Sequence, residues 1–234
     1  MKASRDLRVV FLMGPPGAGK GTQAELLSDK LGFFHLETSK VLEASFSHAK
    51  KREYVAVGKD KFFLQDEKVL WKSGKLMSPP FVTQLMQNKI QELYEQGEGM
   101  VLSGSPRTIY EVEKLLPFII KLYGNKNLTL VVLQLSEEQS IYRNSHRRIC
   151  ELMRHPILYT KETEKLTHCP LDGSAIQRRK GLDNPATIKV RLKEFQERTF
   201  PVLQYFVKQG IKPYRVNGDK SVAGVFMDVQ KVVR

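Results

Sequence analysis

Residues 13–27 read MGPPGAGKGTQAELL, and few folds can accommodate that stretch. An apolar, β-branched run from Leu7 leads into Gly14, and Lys20 to Leu31 then carries apolar residues at helical spacing, with Gly32 where a C-cap glycine belongs. A strand, a glycine loop and a helix in succession present backbone N–H groups at a helix N-terminus, where unpaired donors and the helix dipole favour an anion. Lys20 adds a mobile point charge suited to β- and γ-phosphates. The usual loop has Ser or Thr directly after the lysine, whereas here Gly21 intervenes and Thr22 follows.

The rest of the chain repeats the strand-then-helix rhythm. Buried-type strands are expected at 33–36, 100–103, 128–135 and 212–216, each followed by a helical pattern. One helix begins near Pro80, places Val82, Leu85, Met86, Ile90 and Leu93 on a face, and closes at Gly97. Another takes Asn184 as N-cap and Pro185 as its first residue and buries Ile188, Leu192 and Phe195; the last, after Gly218, buries Val222, Val225, Phe226 and Val229. This alternation predicts an α/β fold, a parallel sheet covered on both faces, with ligands beyond the carboxyl ends of the strands. Two charged segments, about 37–77 and 147–182, lack buried-strand patterns and read as lobes inserted into that core.

The formal net charge of +13 calls for anionic ligands, yet the basic residues do not cluster with aromatics as nucleic-acid binding would require. No apolar segment approaches the roughly 18 residues of a membrane span. The cysteines, Cys150 and Cys169, number two, too few for a disulfide framework and suited to a reducing compartment. The expectation is a soluble cytoplasmic monomer with no nucleic-acid or membrane partner.

GPPGAGKGTQA resembles the phosphate loop of the adenylate kinase family, in which the Gly-Thr ending is usual. Gly104-Ser-Pro-Arg107-Thr108 is similar to that family's Gly-Phe-Pro-Arg-Thr, Arg143 and Arg147 match its paired arginines at the base of the lid, and Asp183-Asn-Pro followed by Arg191-Leu192 resembles its post-lid helix. The resemblance implies a P-loop NTPase-type, three-layer α/β/α core over 1–36, 78–146 and 183–234, a monophosphate-binding lobe over 37–77 and a lid over 147–182. It implies phosphoryl transfer between ATP and AMP with Mg2+ accompanying ATP. Gly14, Pro15, Gly17, Ala18, Gly19, Lys20, Gly21, Thr22, Arg143 and Arg147 would then surround ATP. Thr38, Lys75, Met77, Gly104, Arg107, Glu111, Arg178, Arg179 and Arg191 would surround the monophosphate.

An acceptor phosphate is already an anionic nucleophile, so such a transfer needs no general base; the work is to bring two polyanions together and disperse charge in the transition state. Lys20, Arg107, Arg143, Arg147 and Arg191 are the catalytic cations that the resemblance implies.

The chain departs from the family at several of these points. Glu43 stands where the family has an arginine gripping the acceptor phosphate, and Lys40, or Lys50, Lys51 and Arg52, are the candidates to compensate. Ser103 replaces an aspartate that organises magnesium through water, which predicts weaker magnesium dependence of binding. Glu111 replaces a glutamine that reads the acceptor base; an ionised carboxylate only accepts, which suits guanine, unless the side chain points to solvent. AMP remains the first choice of acceptor, against GMP or a pyrimidine monophosphate, and a nucleotide sensor with little transfer activity is the reading from a different class. In the lid, some family members hold zinc with two Cys-x-x-Cys or Cys-x-x-Asp pairs; here Cys169 and Asp172 keep one pair, while Met153 spoils the other, so a Zn2+ site would need Cys150, His155, Cys169 and Asp172. Arg178 and Arg179 are equal candidates for the phosphate contact at the lid's return.

Overall fold

The computed structural model describes residues 6–47, 50, 52–73, 75–178 and 183–233. In chain order its elements are β1 (Val9–Met13), α1 (Lys20–Leu31), β2 (Phe34–Glu37), α2 (Thr38–Ser47), β3 (Tyr54–Val57), β4 (Asp60–Phe63), α3 (Leu64–Lys72), α4 (Pro79–Gln96), β5 (Met100–Ser103) and α5 (Ile109–Tyr123). There follow β6 (Leu128–Gln134), α6 (Glu137–Ser145), β7 (Arg148–Cys150), β8 (Pro156–Ile157), β9 (Ile176–Gln177), α7 (Pro185–Glu194), α8 (Val202–Lys208), β10 (Pro213–Asn217) and α9 (Val222–Val232).

The core is a five-stranded sheet in the order β10-β6-β1-β5-β2, and every pairing in it is parallel. β1 is buried along its whole length, and its pleat feeds two cores. Val9, Phe11 and Met13 pack with residues of α4, α5 and α8 on one face, while Val10 and Leu12 pack with Ala24, Leu27, Val225 and Val229 of α1 and α9 on the other. Burial on both faces explains why these strands read as unbroken apolar runs. The chain leaves central β1 for β2 and β5 on one side and later for β6 and β10 on the other, so the crevice at their carboxyl ends is the switch point where an α/β sheet takes its ligand.

The expected strands are present with ends displaced by a residue or so, as at Phe34–Glu37 and Pro213–Asn217. Local capping places the helices where the sequence asks: Gly97 closes α4 in the left-handed region with its N–H on Leu93 O, and Asn184 Oδ1 accepts from Thr187 N at 2.9 Å at the start of α7. Leu192 and Phe195 are half-buried rather than buried, because α7 passes into a π-helical turn over Phe195–Thr199 that breaks the expected periodicity. Val222 and Phe226 are likewise only half-buried, Phe226 against the second core.

Between β2 and α4 lie α2, α3 and the β3–β4 hairpin; between α6 and α7 lies an antiparallel sheet ordered β8-β7-β9. Neither small sheet shows a buried-strand pattern, since the β3 residues are exposed or half-buried and the β7–β9 strands are two or three residues long. Both cysteines are free and buried, and no described helix is long and apolar enough to cross a membrane.

Candidate active site

The loop from Gly14 to Gly19 is shaped by α6 as well as by α1. At Gly14 a Cβ would lie 2.5 Å from Leu133 O, and at Gly17, with φ of 80°, it would lie 2.6 Å from Asn144 Nδ2, so only glycine lets the loop lie this close to β6 and α6. Fully buried Ser140 donates to Pro16 O at 2.5 Å, and Asn144 Nδ2 donates to Ser140 O at 2.7 Å. Lys20 curls across the loop, its Nζ donating to Gly14 O at 2.8 Å and Pro15 O at 2.9 Å. Burial pushes the Lys20 ammonium well below the ordinary lysine range, and the charges of Arg107, Arg191 and Arg147 push it the same way against a smaller opposing pull from Glu37.

A cleft of about 310 Å³ opens at the carboxyl ends of the strands. The structure brings Gly17, Gly19, Lys20, Gly21, Thr22, Lys75, Met77, Gly104, Arg107, Arg147 and Arg191 to its walls. Gly14 lines a smaller adjoining pocket with Arg107, Arg191 and Phe195; Pro15 contributes its carbonyl to Lys20; and Ala18 is in the core. Thr38 is buried and donates its hydroxyl to Ser103 O at 3.3 Å. Arg143 is turned to the β10–α9 loop, bonding Gly218 O at 2.8 Å and Asp219 at 3.2 Å. Arg178 is exposed after β9, while Arg179 and Lys51 lie outside the described residues. Lys40 lines the cleft 3.9 Å from Glu37; Lys50 and Arg52 are not among its walls.

Glu111 requires a correction. It neither points to solvent nor lines the cleft. The carboxylate is buried and turned back on the loop that carries Arg107, where Oε2 accepts from Arg107 N and Ser105 Oγ, both at 3.0 Å, and Oε1 from Thr108 Oγ1 at 3.1 Å. Burial raises its pKa, and the hydrogen bond from Arg107 N with the Arg107 charge works against that rise. From the other side Thr199, in the π-helical turn, donates its hydroxyl to Arg107 O at 3.0 Å. Arg107 is thus held at both its N–H and its carbonyl, and Arg191 lies 3.7 Å from the buried Asp183 carboxylate.

At the ends of β2 and β5, Glu37 is in register with Ser103. Ser103 Oγ lies 2.9 Å from His35 Nε2; burial lowers the His35 pKa, while Glu37 pulls it up. Glu37 lines the cleft and is bonded by Ser39 Oγ. Glu37 and His35 carry no motif of their own, although Glu37 directly precedes Thr38 at a strand end. The Glu111 contact does have a sequence signal, the capping-box spacing Thr108-x-x-Glu111, which marks a glutamate facing its own helix start.

At the end of β7 and in the turns around the β7–β9 sheet, Cys150, His155, Cys169 and Asp172 bring their ligand atoms within 4.8 Å of one another. Hydrogen bonds from the Cys150 thiol and from Ser174 hold the Asp172 carboxyl well below its usual range, and burial pushes the Cys150 thiol up.

The adenylate kinase family model matches residues 12–211. The chain is 31% identical over 226 residues to an adenylate kinase of Chlamydia pneumoniae, covering 96% of this chain and 97% of the relative. It is 33% identical over 230 residues to one from Thermotoga petrophila, covering 96% of each, and 29% identical over 232 residues to one from Archaeoglobus fulgidus, covering 97% and 98%.

Two outcomes follow from this geometry. Glu111→Ala strands the Arg107 N–H and should cost about 1–3 kcal/mol of stability, read as a lowered denaturant midpoint. Glu111→Gln should leave the ratio of AMP to GMP turnover unchanged, because the side chain faces away from the cleft. Separately, a polyphosphate arriving beside Lys20 raises a pKa that the empty site holds down, so binding takes up a proton wherever the pH lies above that empty-site pKa. ATP affinity should therefore fall as pH rises through the empty-site pKa of Lys20, and calorimetry in buffers of different ionisation enthalpy should register the uptake.

Proposed function

Since the chain belongs to the adenylate kinase family of nucleoside monophosphate kinases, we propose that ATP and AMP meet in the cleft at the carboxyl ends of the core strands and that the γ-phosphoryl group passes directly between them. The observation that carries this reading is the convergence of Lys20, Arg107, Arg147 and Arg191 on one cleft beside the phosphate loop. Gly17, Gly19, Lys20, Gly21 and Thr22 cradle the ATP phosphates, with Arg147 above them. Arg107 and Arg191, with Lys75, Met77 and Gly104, face the monophosphate. The acceptor oxygen attacks phosphorus while the bond to the ADP leaving oxygen breaks, and the four cations take up the charge that spreads over the transferring group. No proton has to be removed from an ionised acceptor. Segments 37–77 and 147–182 act as the monophosphate lobe and the lid, closing to exclude water.

AMP is the acceptor this reading favours. Glu111, the residue that would suit guanine, spends its acceptor oxygens on the 105–108 loop. The sensor reading rested on Glu43 and Ser103. It has less support with Glu43 paired to Arg154 and with Glu37 supplying a carboxylate in register with Ser103.

Magnesium, bound with ATP, supplies charge neutralisation of the phosphates. The residues present suit it: Thr22 offers a hydroxyl on the phosphate loop, and Glu37 with Ser103 offers hard oxygen acceptors on the same cleft for an ion that keeps much of its water. Glu37 tempers the weaker magnesium dependence expected from Ser103 alone.

The lid cluster fits zinc. A tetrahedral ion with bonds of about 2.3 Å to sulfur and about 2.0 Å to nitrogen and oxygen needs S···N edges of about 3.5 Å and an N···O edge of about 3.3 Å. Cys150 Sγ and Cys169 Sγ each lie 3.6 Å from His155 Nδ1, and His155 Nδ1 lies 3.2 Å from Asp172 Oδ2. Zinc there would be a closed structural site.

Coupled assays with ATP and each of AMP, GMP, CMP and UMP test the function; AMP should be the best acceptor, and failure to convert any monophosphate would overturn the reading. Lys20→Met should lower turnover by roughly two to three orders of magnitude with an unchanged melting temperature. Elemental analysis should find one zinc per chain, lost in Cys150→Ser together with thermal stability of the lid; a metal-free protein of equal stability would remove the zinc assignment.

A further inference from the structure

Glu43 is a carboxylate on the wall of a cleft built for phosphates, at the place where the resemblance calls for an arginine. The structure answers with a residue from the opposite lobe: Arg154, in the turn between β7 and β8, brings Nη2 to 3.8 Å from Glu43 Oε1, and both side chains line the cleft. We propose that Arg154 is the cation the lid contributes to the acceptor phosphate, and that Glu43 positions it.

The inference rests on the reading of the cleft as a monophosphate kinase site. A second observation on Arg154 carries it beyond that reading. Its φ is 59°, in the left-handed region, and Arg52 is the other non-glycine residue with positive φ among the described residues. Glycine fills such a position without strain, and arginine does not. A strained backbone that carries a guanidinium into a phosphate cleft is the kind of outlier from which function is inferred.

The ion pair itself is weak, being loose and half-exposed, with 52% of the Arg154 side chain and 34% of the Glu43 side chain accessible. A phosphate dianion with its fork of acceptors outcompetes one carboxylate for a guanidinium. Glu43 therefore holds Arg154 over the cleft before the acceptor arrives and yields it afterwards. Among the other basic groups on the cleft wall, Lys40 faces Glu37, Arg191 faces Asp183 and Arg107 donates to Gly104 O, while Lys75 lines the cleft from the monophosphate lobe. Where an arginine on the monophosphate lobe would bind the acceptor with the lid open or closed, one carried by the lid makes acceptor binding draw the lid down.

Steady-state kinetics with AMP varied at saturating Mg-ATP test the proposal. Arg154→Gly, which suits the backbone, should keep or raise the melting temperature while raising KM for AMP by about tenfold, with ATP affinity within about twofold of wild type. Glu43→Gln distinguishes two roles by sign: a positioning carboxylate makes KM for AMP rise, and a merely repulsive one makes it fall. Glu43→Arg combined with Arg154→Gly should recover affinity for AMP by returning the cation to the monophosphate lobe. An active Arg154→Gly variant with unchanged KM, or a Glu43→Gln variant with lowered KM, overturns this inference alone. A wild type that phosphorylates no monophosphate overturns the underlying functional reading and this inference with it.

Discussion

The crowding of positive charge around one half-buried lysine governs the rest of this structure. Lys20 is half-buried on the cleft wall among arginines, with two carbonyl oxygens of its own loop as hydrogen-bond acceptors. Like charges repel far more strongly in such a site than in water, so the empty cleft is electrostatically unfavourable. A pair of nucleotide phosphate tails relieves that repulsion, and a transition state with charge spread over its equatorial oxygens meets donors already in position. The catalytic arrangement and the low pKa of Lys20 are therefore two consequences of one design.

Such an arrangement holds only if the cations are fixed without being neutralised. The acids of the protein are distributed accordingly. Glu111 grips the backbone N–H of Arg107 rather than its guanidinium, Asp183 stands behind Arg191, Asp219 pairs with Arg143, and Glu43 reaches Arg154 across the lobes. Glu111 thus fixes the backbone that carries Arg107, and Asp183, Asp219 and Glu43 each face a guanidinium. Glu37 faces the cleft as Glu43 does, at the strand end where a magnesium-bearing nucleotide makes a carboxylate useful. Uncharged contacts supplement these pairs: Thr199 holds Arg107 O, and Ser140 holds Pro16 O.

What the sequence disclosed and what it concealed divide along the range of the interactions concerned. The glycine loop, the five core strands and the Asn184-Pro185 cap were legible because each depends on neighbours within a few residues and on burial of both sheet faces. The direction of a side chain on an amphipathic element was less so. Glu111 stands at a position that a family pattern assigns to base reading, yet its reach is short and its own N-terminal loop offers three donors, so the local partners win. Glu43 and Arg154 are far apart in the chain, and nothing in either segment names the other. Leu192 and Phe195 were misjudged because a helical period was carried through a π-helical turn that re-aims the chain toward Arg107.

The lid shows why its side-chain cluster matters even though it lies away from the reacting groups. Its buried apolar cluster consists of Cys150, Ile157 and Cys169, with Ile176 packed against them, so two candidate ligands are themselves most of the core. Strands of two or three residues cannot bury enough surface to hold such a unit together. Beyond the cluster, Arg148 gathers the loop by donating to the carbonyls of Thr163, Glu164 and Leu166, and its guanidinium lies 5.6 Å from the Tyr159 ring centroid. A metal cross-link at Cys150, His155, Cys169 and Asp172 would make the segment move as one body, and His155 follows Arg154 directly in the chain. A metal at the ligand set would therefore stiffen the backbone that carries Arg154 toward the cleft, which a small, weakly cored insertion cannot do by packing alone.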